Sequence, residues 1–277
     1  MKCDYHMHSD FSDDSRTPME VQVERAIELG LDEICFTEHV DYGIKEDWGS
    51  EKVFYRDGKP ILNANYPEYF HAIEINREKF AGKIKIKAGL EFGVQTHTIK
   101  RFQDLFAKYR DKLDFTLLSI HQVGDKEFWL PEFRRGQTCI DCNEEYYNEM
   151  LEVVKNFHDY SVLAHMDLLR RYGLAGDFPF ENNRDVIAEI LTLAINDGKG
   201  LEMNTASWRY KLNDTQPCRE ILKLYRDLGG EIITLGSDAH SPEYLGVHMD
   251  DAKAILRELG FKTFCTFTMM RPEYHVL

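Results

Sequence analysis

Cys3-Asp4-Tyr5-His6-Met7-His8 ends a short, largely apolar run with two imidazoles two residues apart. In a strand that spacing sets both side chains on one face. Working outward, the same kind of signal recurs along the chain. Thr37-Glu38-His39, Ser119-Ile120-His121, Ala164-His165-Met166-Asp167 and Gly236-Ser237-Asp238-Ala239-His240 each follow a run rich in Ile, Leu, Val or Phe. In a parallel barrel the carboxyl ends of all strands open on one face, so residues far apart in sequence share one pocket. Imidazoles and carboxylates together are the donors of a multinuclear metal site, which points to hydrolysis rather than binding alone.

Strand-like and helix-like runs alternate through the chain. Strands are expected near 2–7, 33–37, 83–91, 114–120, 161–164, 200–204 and 231–235, with a last apolar segment at 262–268. Helices are expected near 18–29, 67–80, 99–109, 143–157, 184–196, 217–228 and 250–259. The first helix starts at Thr17-Pro18-Met19-Glu20, read as N-cap, first helical residue and capping box, and stops at Gly30. Repeated βα units imply a parallel sheet with right-handed crossovers. No Gly-x-Gly-x-x-Gly turn follows the first strand, and the histidines occur on many strands rather than at one switch point. A closed or nearly closed barrel fits better than an open doubly wound sheet. The 277 residues suffice for one such domain, 1–277. Residues 41–66 form a connection long enough to be an active-site loop insertion.

Lys and Arg number 34 against 48 Asp and Glu, for a formal charge of −14. No basic tract appears, which argues against nucleic acid as a partner. No stretch is apolar for long enough to span a membrane, and the first residues lack the apolar core of a signal peptide. The six cysteines are scattered, several in strands, as expected of reduced thiols in a cytoplasmic protein. Cys139-Ile140-Asp141-Cys142 has C-x-x-C spacing, but no second pair accompanies it.

Asp238-x-His240 repeats the spacing of the first strand, and Glu91 ends the third, where a barrel mouth would lie. His71, His97, His158, His248 and His275 fall on helices or loops and read as ordinary. His6-x-His8, Thr37-Glu38-His39, Gly89-Leu90-Glu91, His121, Ala164-His165-x-Asp167 and Ser237-Asp238-Ala239-His240 together resemble the PHP (polymerase and histidinol phosphatase) superfamily. The motifs run in order from Asp4 to His240. Ser119-Ile120-His121-Gln122-Val123-Gly124-Asp125 and the long loop after His39 bring the chain nearest to the stand-alone histidinol-phosphate phosphatases of that superfamily.

The resemblance implies a distorted TIM-like (β/α)7 barrel with three divalent metal ions, for which Zn, Fe, Mn and Co all suit the donors. His6 and His8 would bind the first ion with Glu91 and Asp238. Glu91 would bridge to a second, held also by His121 and His165. The third would take His39, His240 and a residue of Phe11-Ser12-Asp13-Asp14-Ser15, where many relatives have His. Spacing favours Asp14 over Asp13. Six neutral imidazoles and three carboxylates around three divalent ions leave the pocket net positive, which suits a phosphate inside an acidic protein.

The implied reaction is metal-dependent hydrolysis of a small phosphate monoester, foremost L-histidinol phosphate in histidine biosynthesis. Glu91 and Asp238 would act through the ions. Arg170 and Arg171, just past His165, would bind phosphate. Asn204, Trp208 and Arg209 would contact the substrate, with Tyr210 beside them. Asp167, Glu38 or a metal-bound water would protonate the leaving alcohol. Competing readings are another PHP phosphoesterase, an amidohydrolase and a non-catalytic metal-binding module. The separate Glu91 and the paired Asp238-x-His240 fit the PHP pattern better than an amidohydrolase, and the full ligand set argues against a degenerate module. The sequence does not fix the oligomeric state.

Overall fold

Seven parallel strands are hydrogen-bonded in chain order into one sheet. They are β1 (Cys3–Met7), β2 (Glu33–Val40), β3 (Lys85–Gly93), β4 (Phe115–Ser119), β5 (Val162–Leu163), β6 (Gly200–Asn204) and β7 (Ile233–Gly236). The computed structural model describes residues 1–56, 58–173 and 180–277. Each strand is followed by a helix: α1 (Met19–Glu28), α2 (Tyr66–Lys79), α3 (Ile99–Tyr109), α4 (Cys139–Asn156), α5 (Phe180–Asn196), α6 (Arg219–Asp227) and α7 (Met249–Glu258). The last strand returns to the first. Met7 bridges Ala239 in parallel, His8 N–H donates to Ala239 O at 2.8 Å, and Asp238 N–H donates to His6 O at 2.7 Å. The result is the nearly closed barrel expected from the βα rhythm.

The burial pattern explains why these runs become strands. Every residue of β1, β2 and β4 is buried, as in a parallel sheet covered on both faces. The helices supply the cover with one apolar stripe each. In α3 it is Phe102, Leu105, Phe106 and Tyr109; in α1 it is Met19, Gln22, Val23 and Ala26.

Two local expectations change. Thr17 does not cap α1: Pro18 stands at the cap, and the Thr17 hydroxyl donates instead to His240 O at 3.3 Å. The hydroxyl thus ties the start of α1 to the barrel mouth rather than to its own backbone. The expected terminal strand exists as β8 (Thr263–Thr268), but it pairs antiparallel with β9 (Arg271–Val276) in a hairpin outside the barrel sheet. Asp114, just before β4, accepts Met270 N–H at 2.8 Å and Met269 N–H at 3.2 Å. Tyr5 Oη accepts Phe267 N–H at 2.8 Å. The hairpin therefore covers the amino-terminal end of the barrel and leaves the carboxyl end open.

Candidate metal centre and active site

The carboxyl ends of the strands carry the histidines into one place. Register pairs His39 with Glu91 across β2 and β3, so Glu91 enters the middle of the group. Its two oxygens divide the imidazoles. Oε1 lies 3.0 Å from His121 Nε2 and 2.8 Å from His165 Nε2. Oε2 lies 3.2 Å from His6 Nε2, 3.5 Å from His8 Nε2 and 3.1 Å from His39 Nδ1. Asp238 Oδ1 is 3.7 Å from His6 Nε2 and 3.6 Å from His8 Nε2. On the rim, Asp14 Oδ2 is 3.1 Å from His240 Nε2 and 3.4 Å from His39 Nε2. Asp13, the alternative, turns to Lys45 Nζ at 2.6 Å.

Backbone strain and missing side chains both serve this geometry. His165 and Asp238 have φ of 26° and 55°, in the left-handed region that residues with a Cβ seldom adopt. A Cβ on Gly93 would fall 1.9 Å from Asp41 Oδ1 and 2.9 Å from His121 Nδ1. A Cβ on Gly236 would fall 2.3 Å from both Glu202 Oε1 and the His6 Cβ. Glycine at these two positions makes room for the groups that orient His121 and His6.

Those orienting groups fix what the imidazoles can bind. His6 Nδ1 meets Glu202 Oε1 at 2.6 Å, and His121 Nδ1 meets Asp41 Oδ1 at 2.8 Å. His8 Nδ1 meets Ser12 Oγ at 3.1 Å, while that hydroxyl donates to Glu38 Oε2 at 2.6 Å. Each outer partner accepts the Nδ1 proton and leaves the Nε2 lone pair facing inward, as metal-ligating histidines require. Among the described residues, His8 Nε2 and His39 Nδ1 are buried without a hydrogen-bonding partner. Ligand atoms of His6, His8 and Glu91 lie within 4.8 Å of one another, as do those of His39, Glu91 and His121, of His6, His165 and Asp238, and of His8, His39 and His240. The donor set thus fits more than one divalent cation.

Electrostatics agree. Burial alone would raise the Glu91 pKa, but His6, His121 and His39 outweigh it and hold the carboxyl well below the usual range. Burial would lower His121, but Glu91 and Asp41 push it up to about 9. His8 is held well below its ordinary value by burial and by His240 and His39, so it is neutral and ready to donate a lone pair.

The cavity over this cluster measures about 180 Å³. Besides the cluster, Lys45, Arg56, Glu127, Trp129, Arg171, Tyr172 and Tyr210 line it. Arg171 Nη1 donates to Asp238 Oδ2 at 2.6 Å and its Nε to Gln216 Oε1 at 2.7 Å. Among the described residues, its Nη2 is buried with no partner.

Other expected site residues lie outside this lining. Arg170 donates to Asp167 Oδ2 at 2.9 Å and to Thr215 O at 2.7 Å, and both Arg170 and Asp167 line a separate cavity. The turn at 168–172 points consecutive arginines in different directions. Asn204 is spent on Glu202 at 3.2 Å and Ala206 N–H at 2.9 Å. Trp208 stacks on His248 at 4.8 Å, and Arg209 donates to Asp238 O at 3.0 Å from behind the wall. Glu38 is buried and accepts from Ser9 and Ser12. Sequence reasoning missed Glu202 and Lys45. Glu202 sits mid-strand in Gly200–Asn204, where a charged residue amid buried apolar neighbours was the available signal. Lys45 lay unremarked in the long loop.

With fold and site in view, comparison with known proteins places the chain. The PHP domain family matches residues 4–206, and the chain belongs to that family. It is similar to the histidinol-phosphatase of Lactococcus lactis subsp. lactis, 35% identical over 98% of this chain and 96% of that protein. It is also similar to the histidinol-phosphatase of Saccharomyces cerevisiae, 22% identical over 90% and 86% of the two chains. The crystal structure of the Lactococcus lactis histidinol phosphate phosphatase, complexed with zinc, L-histidinol and phosphate, superposes with a TM-score of 0.85 at 33% identity, covering 98% of each chain. The family resemblance and the barrel expected from sequence are borne out.

Proposed function

We propose that this protein is a metal-dependent phosphomonoesterase that releases phosphate from L-histidinol phosphate, in histidine biosynthesis. The observation that carries the reading is Arg171, whose Nη2, unpartnered among the described residues, belongs to a side chain that lines a small cavity with the convergent imidazoles around Glu91. A guanidinium stays charged and matches phosphate oxygens in geometry. The related structure that holds zinc, L-histidinol and phosphate supports the same substrate for this chain.

We assign three divalent positions. His6, His8, Glu91 and Asp238 would hold the first; Glu91, His121 and His165 the second; His39, His240 and Asp14 the third. Bound ions supply Lewis-acid polarisation of the phosphoryl group and a water ionised near neutral pH. The chain's own residues do the rest. Glu91, anionic among imidazoles, would offer a donor oxygen to each of the first two positions. Arg171, held by Asp238 and Gln216, presents its free N–H groups to a phosphate oxygen. Asp167 and Glu38 lie outside the cavity lining, so the proton for the leaving alcohol comes from water or from a group within the cavity such as Tyr172 or Tyr210. The six cysteines are free, which agrees with a cytoplasmic enzyme. Among the described residues no helix is long and apolar enough to cross a membrane.

Phosphate release by the metal-loaded protein tests the reading. L-histidinol phosphate should be cleaved far faster than a dinucleotide or single-stranded DNA, and a chelator should abolish turnover. Faster cleavage of a diester would overturn the monoesterase assignment while leaving the metal site standing.

A further inference from the structure

A second cavity, of about 230 Å³, is walled by the turn at 168–172, by α4 and α5 and by the start of α6. Asp167, Asp214 and Glu220 bring three carboxylates to its lining, and among the described residues Arg170 is the one cationic side chain there. Asp167 is only 3% exposed. Its Oδ2 accepts Arg170 Nη1 at 2.9 Å and Cys218 N–H at 2.8 Å. Its Oδ1 is buried and has no hydrogen-bonding partner among the described residues. Such an atom is costly to leave unmatched and calls for a donor.

The neighbouring guanidinium groups do not supply that donor. Arg170 is turned to Oδ2 and to Thr215 O at 2.7 Å. Arg219 is turned to Asp214 and Glu258. A divalent ion is a poor match, although Asp214, Cys218 and Glu220 set ligand atoms within 4.8 Å of one another. Asp214 is spent on the start of α6, where it accepts Thr215 N–H at 2.7 Å and Arg219 N–H at 2.9 Å. Burial and the Asp167 carboxylate push the Cys218 thiol up, against the thiolate that a metal needs. Leu169, Ile187 and Ile221 are buried and give the cavity an apolar wall instead. A buried acid beside such a wall suits an ammonium on a compact hydrocarbon body.

We propose that this cavity is a binding site for a small alkylammonium, separate from the candidate metal centre, with Asp167 Oδ1 accepting the ligand's N–H and Leu169, Ile187 and Ile221 covering its carbon chain. The turn at 168–172 stands between the two cavities, with Arg170 lining one and Arg171 the other. The site does not depend on the phosphatase reading above.

The test follows isoleucine methyl resonances of the zinc-loaded protein during titration with 3-methylbutylammonium and, as its neutral match, 3-methylbutanol. Ile187 and Ile221 report this cavity, and Ile120, next to His121, reports the candidate metal centre. Saturable shifts at Ile187 and Ile221 are expected, with the ammonium bound about 10–100-fold more tightly than the alcohol, as a hydrogen bond between charged groups predicts. Asp167→Asn should bring the two affinities together and leave that of the alcohol unchanged. A preference that survives Asp167→Asn overturns the proposal. Should that variant fail to fold, the wild-type comparison decides, and equal affinity for the two compounds overturns the proposal. Shifts confined to Ile120, or no shift at all, overturn it as well. Further zinc that moves Ile187 and Ile221 and displaces the ammonium would give the cavity to a metal and overturn it too.

Discussion

Replacing Glu202 by Gln takes one charge and one acceptor from beneath the candidate metal centre. Glu202 is fully buried. Its Oε1 meets His6 Nδ1 at 2.6 Å, and its Oε2 accepts His165 N–H at 2.9 Å and Asn204 Nδ2 at 3.2 Å. Glutamine keeps one acceptor oxygen, so its amide nitrogen must face one of these donors. If it faces His6, the imidazole moves its proton to Nε2 and loses the lone pair directed at Glu91 and Asp238. If it faces His165, a buried N–H is orphaned at a residue whose φ is 26°. The lost hydrogen bond to a charged group is worth about 1.5–3 kcal/mol and an orphaned buried group about 1–3 kcal/mol. Removing an outer partner of a ligating histidine costs about 10–100-fold in metal affinity. Chelator competition should therefore show zinc binding weakened by about 10–100-fold. Urea unfolding of the metal-free protein should show a loss of about 2–4 kcal/mol. Wild-type zinc affinity together with wild-type stability would refute the claim that Glu202 sets the His6 tautomer.

Three further outcomes follow from the same geometry. Asp14→Ala should lower metal content per chain while Asp13→Ala does so much less, because only Asp14 faces His39 and His240; equal loss by elemental analysis would move the third position. In the metal-free protein His121 titrates at about 9, above its ordinary 6.5, so its stabilising charge is fully present below 6.5 and is lost as pH rises through about 9. Urea unfolding without metal should lose about 3 kcal/mol across that window, whereas zinc loading below pH of about 9 should release a proton from His121; a flat stability profile would contradict the raised pKa. Arg171→Met should lower kcat/KM for L-histidinol phosphate by about 10–100-fold, while Arg170→Met, which breaks the Asp167 and Thr215 contacts, should cost stability more than turnover. Equal kinetic losses would show that both arginines reach the phosphate.

The alternation of apolar runs with amphipathic ones was enough to place the seven strands and seven helices, because burial on both faces of a parallel strand and on one stripe of a helix leaves periodic marks. The end of α3 at Tyr109 and the whole of β6 were readable to the residue. The start of α1 was not, because the Thr17 hydroxyl had a tertiary partner, His240 O, that no local pattern announces.

The same division runs through the site. The candidate ligands His6, His8, His39, Glu91, His121, His165, Asp238 and His240 could be named from sequence because each stands at or just past a strand end, and strand ends of a parallel barrel converge by topology alone. The direction of side chains in turns carries no such rule. Arg170 and Arg171 are neighbours in sequence, yet one closes on Thr215 and the other on Asp238. Glu202 and Asp41 became partners of the site only when the barrel brought their carboxylates beside His6 and His121, and Lys45 only when its loop path set its ammonium beside Asp13 and Asp41. Periodicity along the chain thus determined the barrel and the candidate ligands. Packing between distant segments alone decided which groups orient those ligands and which charges face the substrate, because those contacts depend on loop paths and side-chain directions that no repeat encodes.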